Sequence, residues 1–293
     1  MKGLSSNLKL NGLSNTIRQH LRDKIPEDLL TSTPSSFDIL GSRRGAVAVI
    51  EIPEELATYE NEIAAAIQAV HGNVKSVLSK DSGREGEYRL RSLRLIAGDP
   101  DTEVIHKESG CRFKLDPRLT YFSTRESTER ERLVEMVRPG EDVLVMFSGV
   151  SPIAICVAKR HPDVTVTAVE INPEAHSYAV ENARLNKVAD RVKPILGDVR
   201  EVCPFLNTVF HRVLMPLPKG AYMFLDVAIP MVKPGGVLHF YHWAPEDDLY
   251  GEARRLVAEA AENEGRKAEF TGGEKVSLYS PRVYKVRVDM LIH

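Results

Sequence analysis

"VLVMFSGVSPIAI", residues 143–155, decides how the chain is read. An apolar strand runs into a turn containing Gly149, and apolar residues at helical spacing follow. In an α/β sheet the turn after the first strand must let backbone approach a ligand, and glycine permits that approach. Val145 stands where an acid usually ends such a strand. Ser151 and Pro152 make the rest of the turn stiffer than a glycine-rich phosphate cradle. A diphosphate would be poorly served there, whereas a nucleoside carrying an amino acid fits. Taken alone, the stretch reads equally well as a buried strand with a tight turn.

The neighbouring strand ends shift that balance. "VTVTAVEINP" (164–173) ends in Glu170, twenty-one residues after Gly149. An acid at about that distance is placed to accept hydrogen bonds from ribose hydroxyls. Asn172 then caps a helix opened by Pro173. "ILGDVRE" (195–201) puts Asp198 just past the third strand, where its carboxylate can accept from an adenine amino group. Either acid alone is commonly a helix cap or a solvated loop residue. Three strand ends in the right order point to a nucleoside cofactor. The fourth strand runs into "RVLMPLPKGAYMFLD" (212–226), where Pro216 and Pro218 make a stiff turn that presents backbone carbonyls.

Around these stretches, strands and helices alternate from about residue 120. A helix over 126–138 leads to strand 143–147, helix 153–160, strand 164–169, helix 173–187 and strand 191–196. Strand 209–215, a helix near 220–232, strand 237–241, a helix over 247–264 and two late strands (274–279, 282–290) complete the series. Short apolar strands joined by helices predict a parallel, doubly wound sheet, with its ligand outside the strand carboxyl ends. Residues 35–119 read differently. "AVAVIEI", "VKSVL", "EYRLRSLRLIAG" and "CRFKLD" are strands, and Pro53 opens a helix with Ile63, Ile67 and Val70 on one face. They make a small α+β domain. Residues 1–34 are polar, end in "TSTPSS", and read as a frayed extension and linker.

The bulk numbers exclude several classes. The chain has 293 residues, 43% hydrophobic and 27% charged, as in an ordinary globular protein. No apolar run approaches the ~18 residues of a membrane span, and the N-terminus has no apolar segment of a secretory signal. Cys111, Cys156 and Cys203 lie far apart in sequence without metal-ligand spacing. They fit a reducing, cytoplasmic setting rather than a disulfide scaffold. Net charge is −2, so global basicity does not announce nucleic acid. Locally, six Lys/Arg stand against three acids between Lys75 and Arg94, a stripe able to neutralise phosphates or simply a solvated face.

"GEYRLR" (86–91), "YFSTRESTERERL" (121–133), "MFSGVSPIAI", "EINPEAHSYAVENARLNKV" (170–188), "GDVRE" and "MPLPKGAYMFL" (215–225) occur in one order. As a set they resemble the archaeal and eukaryotic tRNA guanine-37 N1-methyltransferase family and the related wyosine-pathway aminocarboxypropyl transferases, over residues 36–290. The motif variants look archaeal. The resemblance implies a class I S-adenosyl-L-methionine (SAM) fold, Rossmann-like with an antiparallel edge. The small domain before it would help hold the anticodon stem-loop of tRNA. It also implies roles. Arg89 would steady O6 of the guanine and Glu129 would be the general base. Phe147, Gly149, Glu170, Ile171, Asp198, Val199 and Met215 would bind the cofactor. Tyr121, Arg125, Arg130, Pro216, Pro218 and Lys219 would contact the base or RNA. N1 of guanine carries a proton at neutral pH, so its methylation needs a base, and a cation helps as charge develops on O6.

Three departures from the family pattern matter: Val145 for an acid, Ser151 for a glycine, and Pro216 for the asparagine of the "NLP" or "NPP" turn. The short N-terminal stretch also leaves out the tRNA-elbow domain that many of these methyltransferases carry. The leading expectation is N1 methylation of guanine 37. Aminocarboxypropyl transfer to a wyosine precursor, or methylation of one, is the alternative. A non-catalytic tRNA-binding homologue is the rival of another class. Oligomeric state is not legible.

Overall fold

The computed structural model describes residues 17–86, 88 and 90–293. They form two compact units, one of residues 17–108 with 112–124 and the other of 109–111 with 125–293.

The first unit is built on a four-stranded sheet, β1 (Asp38–Ser42), β2 (Gly45–Ile50), β3 (Val74–Glu85) and β4 (Leu90–Gly98), in that spatial order. β2 and β3 are parallel and the outer pairs antiparallel. A parallel pair needs a crossover, and helix α1 (Glu60–Val70) supplies it after a 3-10 turn over Glu54–Tyr59. Ile63, Ala64 and Ile67 bury one face of α1 against Ala46, Ala48 and Ile50. The frayed extension expected over 1–34 is corrected for residues 17–34, while 1–16 lie outside the described residues. A helix reaches Leu21 and a one-turn helix spans Glu27–Leu30. Ile17, Leu21 and Ile25, four residues apart, are buried in this same core. Apolar spacing outweighed polar composition. β5 (Val104–Glu108) and β6 (Cys111–Leu115) form a separate hairpin.

The second unit opens with α2 (Ser127–Met136) and then alternates β7 (Asp142–Met146), α3 (Pro152–Arg160), β8 (Thr165–Glu170), α4 (Pro173–Leu185), β9 (Val192–Leu196) and β10 (Phe210–Met215). β11 (Val232–Pro245), α5 (Gly251–Asn263), β12 (Ala268–Ser280) and β13 (Val283–Ile292) follow. The seven strands run β12-β13-β11-β10-β7-β8-β9. β7 to β11 are mutually parallel, and β13 is antiparallel to both its neighbours. The chain leaves β7 towards β8 and β9, then returns to β10 on the other side of β7. Strand order therefore reverses between β7 and β10, where α/β sheets open a ligand crevice.

The helix expected near 220–232 is only a 3-10 turn over Ala221–Phe224 and a single turn over Leu225–Ala228. Phe224 leaves helical backbone between the two turns (φ −114°, ψ 10°), Ile229 is still right-handed helical, and β11 begins at Val232. Cys111 and Cys156, distant in sequence, bring their buried sulfurs to 3.7 Å as free thiols.

Candidate active site

The loop after β7 is wound tightly. Phe147, Gly149 and Ser151 all have left-handed backbone, with φ of 57°, 56° and 61°. Glycine adopts this conformation freely, whereas the other two carry strain of about 1 kcal/mol or more each. Local bonds hold them. The Ser148 N–H donates to the Val169 carbonyl at 2.9 Å, and the Ser151 N–H to the Ser148 carbonyl at 2.9 Å. Ser151 is fully buried, with its Oγ 3.3 Å from Ser148 Oγ.

This winding aims the Gly149 N–H at Glu170 Oε2, 2.6 Å away, while the Asn172 N–H donates to Oε1 at 2.9 Å. Burial raises the Glu170 carboxyl above its ordinary value, and these backbone donors offset only part of that rise. It pairs with no cation among the described residues. A buried carboxylate held only by backbone N–H groups retains lone pairs for neutral donors such as the hydroxyls of a ribose. Ile171 is half-buried beside it. One strand further, the Gly197 N–H donates to the Glu170 carbonyl at 2.9 Å. Asp198 follows it and caps a one-turn helix, accepting from the Arg200 N–H at 2.8 Å. Val199 is buried behind it. Gly149, Glu170 and Asp198 thus share one sheet edge, and Gly149 and Glu170 touch directly.

On the other side of β7, buried Met215 ends β10 and the Leu217 N–H turns back onto its carbonyl at 2.8 Å. Pro216 and Pro218 flank that reversal, Lys219 is exposed, and Gly220 takes φ 84°. Phe147 meets Phe224 edge-on, centroids 5.0 Å apart.

Glu129 lies in the first turn of α2 and is only 4% exposed. Its Oε1 accepts from the Tyr241 hydroxyl at 2.5 Å and from Arg287 Nη1. Its Oε2 is buried without a hydrogen bond, with Arg132 Nη1 at 3.5 Å. Burial, then the adjoining carboxylate, pushes the Tyr241 phenol well above its ordinary range, so it remains a donor. Arg287 also binds Asp289 through Nε at 2.8 Å and Nη2 at 3.3 Å. Asp289 Oδ1 lies 2.5 Å from His239 Nδ1, and His239 Nε2 lies 2.5 Å from Arg212 Nη1. A guanidinium only donates, so Nε2 accepts and Nδ1 carries the proton given to Asp289. Burial lowers the His239 pKa, which agrees with a neutral ring. Burial would raise the Asp289 carboxyl, but the bonds from His239 and Arg287 outweigh it and hold it low. Arg212 closes the line on Glu141 with bonds of 2.7 and 3.0 Å.

Sequence reading missed Tyr241, His239, Arg287 and Asp289. Their signal was the alternation of polar and apolar residues in β11 and β13, which does not say that the polar face is buried. Of the other expected residues, Arg130 is buried on α2 and Arg125 is exposed at the start of the second unit. Tyr121 belongs to the first unit. Arg89 lies outside the described residues. Among the described residues, no group of three or more His, Cys, Asp or Glu is arranged to hold a metal ion. No described helix is long and apolar enough to cross a membrane.

The chain matches the TRM5/TYW2 methyltransferase domain over residues 104–269 and the TYW2 N-terminal domain over 17–102. The tRNA (guanine(37)-N(1))-methyltransferase Trm5b of Pyrococcus abyssi is 45% identical over 92% of this chain and 78% of its own. Its crystal structure superposes with a TM-score of 0.81 at that coverage. A structure of aTrm5 with tRNALeu is 31% identical and superposes at 0.82, covering 96% of this chain and 79% of that one. The tRNA(Phe) (4-demethylwyosine(37)-C(7)) aminocarboxypropyltransferase of Pyrococcus horikoshii is 30% identical over 97% of this chain and 99% of its own. A parallel sheet with an antiparallel edge, an acid after its second strand and these matches lead to one assignment: the chain belongs to the TRM5/TYW2 methyltransferase family.

Proposed function

We propose that the chain is a SAM-dependent tRNA methyltransferase acting on N1 of guanine 37. The observation that carries the reading is the buried, cation-free Glu170 carboxylate fixed to the Gly149 loop where strand order reverses. It suits a nucleoside rather than a phosphate, and the identity to Trm5b supplies the reaction class.

S-adenosyl-L-methionine, when bound, supplies an electrophilic methyl carbon on a sulfonium. Glu170 takes the ribose hydroxyls, and Asp198 accepts from the adenine amino group with the capacity its helix cap leaves free. Phe147, Ile171, Val199 and Met215 give the ring its apolar walls. The Pro216–Pro218 turn and Lys219 receive the target nucleotide beside them, with Tyr121, Arg125 and Arg130 serving the RNA. Arg89 stabilises charge on O6, and Glu129 removes the N1 proton. The tRNA contact centres on the anticodon stem-loop, with the small domain contributing. Free, buried cysteines fit work in the cytoplasm.

Aminocarboxypropyl transfer from the same cofactor is the second reading. It is favoured by the TYW2 N-terminal match and by Pro216, which lacks the side-chain amide of the family's turn. Mass spectrometry of nucleosides separates them. Unmodified tRNA incubated with methyl-labelled SAM should yield labelled N1-methylguanosine, lost when position 37 is not guanine. No label, with SAM binding intact, would transfer the assignment to the second reaction.

A further inference from the structure

We propose that Tyr241, Arg287 and Asp289 are positioning residues for Glu129, clamping Oε1 and balancing the local charge so that Oε2, which accepts no hydrogen bond, receives the substrate proton. The inference rests on the function above and deepens it.

The asymmetry of the carboxylate comes first. Oε1 holds two donors, Tyr241 and Arg287, while buried Oε2 has no hydrogen bond. A buried acceptor without a donor is costly, and a proton delivered to it would remove that cost. Fixing one oxygen and sparing the other orients the group towards an incoming N–H. Register says where. Phe240 pairs with Met215 in the parallel β10–β11 ladder, so Tyr241 stands level with Pro216. The clamp therefore lies at the same carboxyl edge as the turn that receives the base.

Charge is the second argument. A lone arginine against Glu129 would make it a poor base, because an opposite charge favours the ionised form. Arg287 is not a lone partner, since Asp289 engages it through two nitrogens. Glu141 likewise neutralises Arg212, and His239 between them is neutral. The buried line therefore carries Glu129, Asp289 and Glu141 against two arginines, one negative charge in excess. Nearby groups are spoken for. Arg132 on α2, whose Nη1 stands 3.5 Å from Oε2, also bonds Glu274 of β12 at 3.1 Å, so that pair adds no net charge; Lys285 of β13 bonds Glu126 at 2.8 Å, and Arg130 is buried on α2. When the N1–H bond breaks, its electron pair stays on the ring and the proton forms an O–H bond at Oε2. Glu129 becomes a neutral acid and the line reaches zero charge. It is balanced for the state after proton transfer.

Three variants test this: Tyr241→Phe, Asp289→Asn, and Arg287→Lys against Arg287→Gln. Single-turnover methylation is followed against pH, SAM affinity by calorimetry, and the Glu129 carboxyl by infrared difference titration, its band identified by loss in Glu129→Gln. Tyr241→Phe removes a donor from the carboxylate, so the acid limb and the infrared midpoint move up, by about one pH unit. Asp289→Asn gives Arg287's charge wholly to Glu129, so both move down and the plateau rate falls about tenfold. Arg287→Lys retains more of the wild-type profile than Arg287→Gln. SAM affinity stays unchanged throughout. A purely structural role would not move the midpoint in opposite directions. An unmoved limb and band in Tyr241→Phe and Asp289→Asn, with Glu129→Gln still inactive, overturn the inference alone. If Asp289→Asn fails to fold, the conservative Tyr241→Phe decides. If the wild type methylates no tRNA, the function fails while the infrared midpoints still judge the clamp.

Discussion

The strands β11 and β13 show two opposite ways of filling a protein interior. One face carries Leu238, Phe240, Val288 and Met290, all buried in a cluster with Ala253, Val257 and Ala261 of α5. The other carries His239, Tyr241, Arg287 and Asp289, equally buried but joined to α2 by hydrogen bonds and ion pairs. Side chains alternate along a strand, so the two faces differ by one residue of register. The apolar face is stabilising through area and close packing alone. The charged face is at best neutral for stability, because desolvating paired charges offsets their attraction. Its retention on the strands nearest the candidate base fits a role in chemistry rather than in folding.

The sharpest way to break this contrast is Phe240→Ala. It removes a fully buried ring and should cost about 3–5 kcal/mol, read from chemical denaturation, while protein that remains folded keeps the wild-type pH–rate profile. A changed profile would mean that the two faces are coupled. A smaller effect is expected from His239→Gln. The glutamine amide can donate to Asp289 and accept from Arg212, as the neutral ring does, but does not titrate. His239 has its pKa lowered from 6.5 by burial, so the unfolded chain binds the proton first. Its contribution is complete above pH 6.5 and is lost as pH falls towards the depressed folded value. The wild type should therefore lose stability below pH 6.5 more steeply than the variant, by up to about 1.4 kcal/mol per pH unit. Equal slopes would show that His239 binds protons alike in the folded and unfolded chain. The smallest effect belongs to Ser151→Gly in the loop after β7. Relief of left-handed strain exceeds the added flexibility of the unfolded chain, so stability rises by under about 1 kcal/mol with SAM affinity intact. A loss would mean that the Ser148–Ser151 hydroxyl contact matters more than the strain.

Much of the second unit was legible because parallel strands buried on both faces read as short apolar runs between helices. Asn172 and Pro173 announced α4, and the side chain of Asn172 does accept from the Glu174 N–H at 3.0 Å. Spacing placed Gly149 and Glu170 at neighbouring strand ends, although neither their hydrogen bond nor the left-handed Phe147 and Ser151 that create it was legible. Local signals misled where one dominated. Polar composition concealed the Ile17, Leu21 and Ile25 stripe, and the apolar run after Gly220 concealed the break at Phe224. The boundary between the units falls after residue 124 rather than 119, because the 3-10 turn at Thr124–Glu126 leads directly into α2. The clamp on Glu129 escaped altogether. Its partners lie 112 and 158 residues away, and no local pattern distinguishes a charged face in water from one beneath a helix.

The position of β13 has a consequence for synthesis. It is the last strand of this sheet in chain order, yet it sits between β12 and β11. A growing chain that has completed β7, β8 and β9 already holds the strands beside Gly149 and Glu170, but it lacks Arg287 and Asp289. Glu129 therefore gains its Arg287 and Asp289 partners only when β13 slots between two strands that came earlier.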